Sequence, residues 1–224
     1  MENQEIKSFA RRIGKSLSRY KKNLLDNLLP YYLIAKEDPL KKAPGQGKII
    51  LEIGIGMSEH FAHQAKINPN HYFIGAEPYL NGIASCLDLA QKYELHNIGL
   101  WPDSVDEIIT HIKPNSLDIV YLLFPDPWLK NKQKKRRFAS IARLIKIKNL
   151  LRPGGNLIFA SDIEEYATDI TKKALEAGFE NITKNETAVH EGYITTKFHA
   201  KGMREGRDAF FLTFQKGQSQ DEGN

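Results

Sequence analysis

The chain has 224 residues, 41% hydrophobic and 26% charged, with a net charge of +5. That length suffices for one good-sized α/β domain with a real core; no apolar run approaches the ~18 residues a membrane helix needs, and the N-terminus lacks the apolar stretch of a secretory signal. The single cysteine, Cys86, can form no intramolecular disulfide and reads as a core filler, which fits a reducing, cytoplasmic setting.

In chain order, the first segment reads as a basic amphipathic helix. Ile6, Phe9, Ile13, Leu17, Tyr20, Leu24 and Leu28 recur at spacings of three or four. The opposite face carries Lys7, Arg11, Arg12, Lys15, Arg19, Lys21 and Lys22. Such a helix packs on the domain and solvates its cations, offers a second surface to nucleic acid, or binds a membrane. Pro30 is expected to end it, and the Pro-, Gly- and Lys-rich stretch from Asp38 to Lys48 reads as a loop. From Ile49 the pattern alternates. Strands are expected at IILEI (49–53), YFIGAE (72–77), NIGLW (97–101), LDIVYLLF (117–124) and NLIFAS (156–161). Helices are expected to end near Ile67, Tyr93 and Ile112, to cover Arg136 to Leu151 up to a break at RPGG (152–155), and to run from Ile163 to Ala177. Two weaker strand signals follow, at Glu180 to Lys184 and AFFLTFQK (209–216). This alternation predicts a doubly wound, mostly parallel sheet that binds ligands at the carboxyl ends of its strands. The chain divides into a basic helix and loop (1–48), a main domain (49–216) and a disordered tail (217–224).

Those strand ends share a feature. Glu52, Glu77, Asp103, Asp126 and Asp162 lie at or just beyond the five strands, so carboxylates should gather along one edge of the sheet. The turn Gly54-Ile55-Gly56-Met57-Ser58 has two of the three glycines of a dinucleotide fingerprint. Glu52 and Glu59 flank it, and their charge would repel a pyrophosphate where that fold needs a neutral or positive site. The same surroundings suit a cationic ligand such as S-adenosylmethionine, with Glu77 placed for ribose hydroxyls. An NAD-linked dehydrogenase, a methyltransferase acting on another RNA, a protein or a small molecule, and a non-catalytic RNA-binding module are the disfavoured rivals.

The fourth strand runs into Pro125-Asp126-Pro127-Trp128, and six cations follow: Lys130, Lys132, Lys134, Lys135, Arg136 and Arg137. Between Asp126 and Asp162 there is no acidic residue, while ten Lys and Arg lie there. An acid-free span of this length reads as an electrostatic footprint for a polyanion. The proline rings restrict the backbone on both sides of Asp126. Trp128 either stacks on a base or plugs the loop from below.

LEIGIG, GAEPYL, LLFPDPW with its KKRRF continuation, GGNLIFASD and TTKFHAKG resemble, in the same order, the bacterial tRNA (guanine-N7-)-methyltransferases. The resemblance runs from about Ile49 to Phe214. It implies a Rossmann-like class I methyltransferase fold with a seven-stranded sheet, S-adenosylmethionine as cofactor, no metal, and tRNA as partner, its guanine N7 in the variable loop accepting the methyl group. The protein would act as a monomer or homodimer. Carried over position by position, the cofactor acids match Glu52, Glu77, Asp103 and Asp126, beside Gly54 and Gly56. Asp126 matches the active-site acid. Lys130, Asp162, Thr196, Lys197, Phe198 and His199 match substrate positions, and Lys132, Lys134, Lys135, Arg136 and Arg137 would hold the RNA backbone. The chain departs from the family pattern where His199 replaces a glutamate, Tyr193-Ile194 an Arg-Pro pair, Leu129 a proline, Gln133 a histidine and Ser58 a glycine. NIGLWPDS is also about one residue shorter than the family segment.

Overall fold

The computed structural model describes residues 16–218; the apolar positions Ile6, Phe9 and Ile13, the cations up to Lys15 and most of the expected tail lie outside them. The elements are α1 (Arg19–Tyr32), β1 (Ile49–Ile53), α2 (Glu59–Ile67), β2 (Tyr72–Ala76), α3 (Leu80–Lys92), β3 (Ile98–Trp101), β4 (Leu117–Leu123), α4 (Ile141–Leu150), β5 (Leu151–Ser161), α5 (Glu164–Glu176), β6 (Glu180–Asn181), α6 (Lys197–Arg204) and β7 (Phe210–Gln215). Seven strands form one sheet in the order β3-β2-β1-β4-β5-β7-β6. The pairs among β1 to β5 are parallel, and β7 runs antiparallel between β5 and β6. The winding reverses between β1 and β4, and a crevice opens at such a switch point.

The sheet is covered on both sides, which is why its central strands are apolar throughout. On one face Leu51, Ile74, Val120 and Phe159 pack with residues of α4 and α5. On the other, Ile50, Phe73 and Tyr121 pack against α1, α2 and α3, and Cys86 is part of that buried layer. The helix α1 docks on α3. Leu24 is buried, Lys21 Nζ donates to Asn81 Oδ1 at 3.2 Å and Ser85 Oγ at 3.4 Å, and the Tyr20 hydroxyl donates to Asp88. Arg19 and Lys22 stay exposed on its outer side.

Four boundaries differ from the sequence reading. Pro30 lies inside α1, which continues to Tyr32. A proline in the last turn removes one backbone donor, and the Leu33 N–H still reaches the Leu29 carbonyl at 2.8 Å. After β3 no full helix forms. Ser104 caps a single 3-10 turn (Val105–Glu107), and Val105, Ile108, Ile109 and Ile112 go straight into the core. The helix expected from Arg136 begins at Ile141, where Ser140 accepts from the Arg143 N–H. The basic run Asn131–Arg136 is a 3-10 turn instead, so its cations do not sit at the start of α4. The helix does end before RPGG, at Leu150, but RPGG itself belongs to β5, which starts at Leu151 rather than Asn156 and pairs it with Leu117 across a register shift.

Candidate active site

The backbone of the glycine turn is left-handed at Gly54 (φ +76°), Gly56 (+54°) and also Ser58 (+69°). That conformation costs a side chain about 1–2 kcal/mol, so Ser58 occupies a position shaped for glycine. The turn is pressed from α3: a Cβ added to Gly82 would lie 2.2 Å from the Gly56 carbonyl oxygen. Beneath it, Glu77 at the end of β2 accepts from the Gly56 N–H and the Tyr79 N–H, both at 2.8 Å. Burial raises its pKa, those two bonds oppose the rise, and the Asp126 charge adds to it. Glu77 and Asp126 therefore act on one field from strands β2 and β4.

They share a cavity of about 790 Å³ at the carboxyl ends of β1, β2 and β4. Gly54, Gly56, Glu77, Asp126, Lys130, Arg136 and Phe198 line it, seven of the residues read from the sequence. Pro78, Val105, Leu122 and Phe138 give it apolar walls, and Trp128, Leu129 and Gln133 form part of its rim. Asp126 itself is exposed. The turn that carries it is bracketed by two residues in the left-handed region, Phe124 (φ +49°) and Trp128 (φ +42°). Trp128 is half-buried, and the Arg136 guanidinium lies 5.1 Å from its ring centroid.

Several expected contacts fall elsewhere. Glu52 is buried away from the cavity wall, its Oε2 2.7 Å from His60 Nδ1. Asp103 Oδ1 accepts from the Ser104 N–H at 2.6 Å, and Ser104 rather than Asp103 lines the cavity. Asp162 is ion-paired with Arg207 through Oδ2 at 2.6 and 2.8 Å. Thr196 caps α6, and Lys197 lies 3.3 Å from Glu59. Lys132 and Lys135 are exposed, as a phosphate contact requires, whereas Lys134 pairs with Glu165 at 2.8 Å. Arg137 corrects the reading outright: it is 2% exposed, with its guanidinium turned inward. Two departures from the family pattern touch each other. The Tyr193 hydroxyl is 2.9 Å from His199 Nδ1, and the His199 ring stacks on Phe124 beside the proline turn.

Sequence reading missed a buried chain of polar groups behind β1. From Glu52 it passes to His60, and His60 Nε2 lies 3.2 Å from His190 Nε2, with Tyr121 and Tyr193 packed around the rings. His60 and His190 are 130 positions apart, so no local pattern announces them. Burial, and next the His60 charge, push the His190 pKa down to about 4, against the pull of the Glu191 carbonyl. An unfolded histidine titrates near 6.5. Between those values the unfolded chain binds a proton that the folded one refuses, so stability is lost as pH falls through this window. The loss is about 2 kcal/mol at pH 5. Denaturant midpoints at pH 7 and pH 5 should therefore differ less in His190→Asn than in the unaltered protein; equal differences would contradict the account.

Among the described residues no helix is long and apolar enough to cross a membrane, and no group of three or more His, Cys, Asp or Glu side chains is arranged to hold a metal ion. Residues 46–212 match a methyltransferase family model described as "Putative methyltransferase". The chain is 49% identical to the "Bifunctional methyltransferase" of Rickettsia conorii over 208 residues, covering 92% of this chain and 39% of that protein. It thus spans about two fifths of the length of the bifunctional relatives it matches. It is 37% identical to the "tRNA (guanine-N(7)-)-methyltransferase" of Rhizobium johnstonii over 219 residues, 93% of this chain and 94% of that one. Among solved structures, the 16S rRNA methyltransferase KamB superposes with a TM-score of 0.58 at 16% identity, over 76% of this chain and 88% of that one, which establishes the Rossmann-like class I methyltransferase fold. With the family model over most of its length and that relative over nearly all of both chains, this chain belongs to the tRNA (guanine-N(7)-)-methyltransferase family.

Proposed function

We propose that the chain transfers the methyl group of S-adenosylmethionine to N7 of a guanine in the variable loop of tRNA, in the cytoplasm. The observation that carries this reading is that Glu77 and Asp126 open onto one cavity from either side of β1, with exposed Lys130 at its rim. The donor set fits the cofactor. Each Glu77 oxygen accepts one backbone N–H and keeps a lone pair for a ribose hydroxyl. Pro78, Val105 and Leu122 supply apolar wall for an adenine, and a cavity of about 790 Å³ is of the size that holds a ligand of this class. The carboxylates of Glu77 and Asp126 put negative charge on the cavity wall, which suits an ammonium and a sulfonium. Bound there, the cofactor supplies an electrophilic methyl group.

The protein's own part is mostly alignment. N7 of guanine already bears a lone pair, so no proton has to leave before attack. Holding the two reacting atoms in line contributes roughly 7–11 kcal/mol. Attack places positive charge on the purine ring, and a preorganised carboxylate beside it lowers the barrier. Asp126 takes that role in our reading and orients guanine through its ring N–H and exocyclic amine. Lys130, Lys132 and Lys135 neutralise phosphates, so affinity for tRNA falls steeply with salt. Phe198, 56% exposed at the cavity wall, offers a face for an unstacked base.

Incubation with labelled S-adenosylmethionine and unmodified tRNA tests the reading. Label is expected in tRNA and not in protein or small-molecule acceptors. Label in protein alone would overturn it.

A further inference from the structure

We infer that Arg137 is a positioning residue that fastens the proline-flanked turn bearing Asp126 to α5, rather than a contact to the RNA backbone; the inference deepens the proposed methyl transfer and rests on it. Arg137 Nε donates to the Pro127 carbonyl at 2.8 Å. Its two terminal nitrogens donate to Glu165 at 3.2 and 3.3 Å and to Asp169 at 3.1 Å. The guanidinium lies 4.6 Å from the ring centroid of Tyr166, itself fully buried. One side chain therefore ties the turn to two carboxylates and an aromatic face on a single helix.

Two physical points support this assignment. A guanidinium that is already desolvated and paired with two acids has little field left for a phosphate, and pulling it out would strand those partners. Lys134 and Lys173 sit on the same acids, each at 2.8 Å, and close the network on either side. The turn also needs a holder. Phe124 and Trp128 both sit in the left-handed region, and such conformations persist only where the surroundings over-determine them. Pro127 has no N–H to donate, which leaves its carbonyl as the backbone group by which this residue can be gripped. Arg137 grips it one residue from Asp126, and a displacement of about 1 Å at a reacting group can cost 10²-fold in rate.

The test compares Arg137→Gln with Lys132→Ala, an exposed cation of the same run. Arg137→Gln is expected to lower kcat for tRNA methylation about 10²-fold, with KM for tRNA within about twofold and the slope of log affinity against log salt unchanged. Lys132→Ala is expected to reduce that slope by about one. A reduced slope with unchanged kcat in Arg137→Gln would show a phosphate contact and overturn the inference. Should Arg137→Gln fail to fold, Asp169→Asn weakens the same clamp from α5: a lowered kcat at unchanged slope supports it, and unchanged kcat overturns it. A third readout is independent of activity. In a Trp101→Phe background, Trp128 emission should shift to the red in Arg137→Gln, and an unmoved spectrum contradicts the clamp. If the unaltered protein methylated no tRNA, the functional reading would fail, while the fluorescence would still decide whether Arg137 holds the turn.

Discussion

Asp126→Asn is expected to lower kcat for methyl transfer to tRNA by about 10²- to 10³-fold, about 3–4 kcal/mol of transition-state stabilisation, while affinity for S-adenosylhomocysteine changes little. The substitution keeps the size of the side chain and one acceptor oxygen. It removes the charge that would face the purine as positive charge develops there, and it replaces one acceptor of the guanine N–H groups by a donor. Asp126 can act in this way because its turn is held at several points. The Phe124 N–H is bonded to the Ala160 carbonyl of β5 at 2.8 Å, Pro125 and Pro127 restrict the backbone, and Arg137 holds the Pro127 carbonyl. Single-turnover rates with saturating tRNA separate this effect from binding. A rate within threefold of the unaltered protein would remove Asp126 from the chemistry.

The second large effect belongs to Glu77. Its carboxylate accepts from Gly56 and Tyr79, and an amide offers one acceptor where two are needed. Glu77→Gln therefore points a donor at a backbone N–H and removes an acceptor for the ribose. Losing charge-assisted bonds and leaving a buried donor unpaired costs about 3 kcal/mol, a fall of about 100-fold in affinity for S-adenosylhomocysteine by calorimetry. The same titration with NAD should give no heat in either protein. Binding of NAD, or full retention of S-adenosylhomocysteine binding in Glu77→Gln, would contradict the cofactor assignment.

Much of this site could be read in the sequence because its signals are local. Strand periodicity, an acid at each strand end, and prolines on both sides of Asp126 are patterns within a few residues. The glycine turn was legible for the same reason, and so was the crevice, since alternating strands and helices constrain the winding. What could not be read depends on partners far along the chain. Glu52 looks like Glu77 in sequence, yet His60 takes up its carboxylate behind β1. Lys132 and Arg137 belong to one basic run, yet one faces solvent and the other is buried against α5. Only the distance between the proline turn and Glu165 decides that, and composition is blind to it. Asp162 matches a substrate position in sequence, yet its ion pair is with Arg207, 45 residues on. The helix expected after β3 does not form. Val105, Ile108, Ile109 and Ile112 have helical spacing and all are buried, yet the backbone there forms only a 3-10 turn at Val105–Glu107.

The departures at Tyr193 and His199 become intelligible together. In sequence each looks like an isolated loss of a family residue. In the structure they share a contact of 2.9 Å, and His199 stacks on Phe124 at the foot of the proline turn. Burial lowers the His199 pKa, with the Asp162 charge opposing, so the ring meets Tyr193 as a neutral partner near pH 7.

The most direct test of the central claim is to map the modified nucleotide. Unmodified tRNA is incubated with the protein and S-adenosylmethionine, reduced, and cleaved at 7-methylguanine with aniline. The account predicts one cleavage, at a guanine of the variable loop, that is lost in Asp126→Asn at matched times. Methylation at another atom or another loop by the active protein would contradict it.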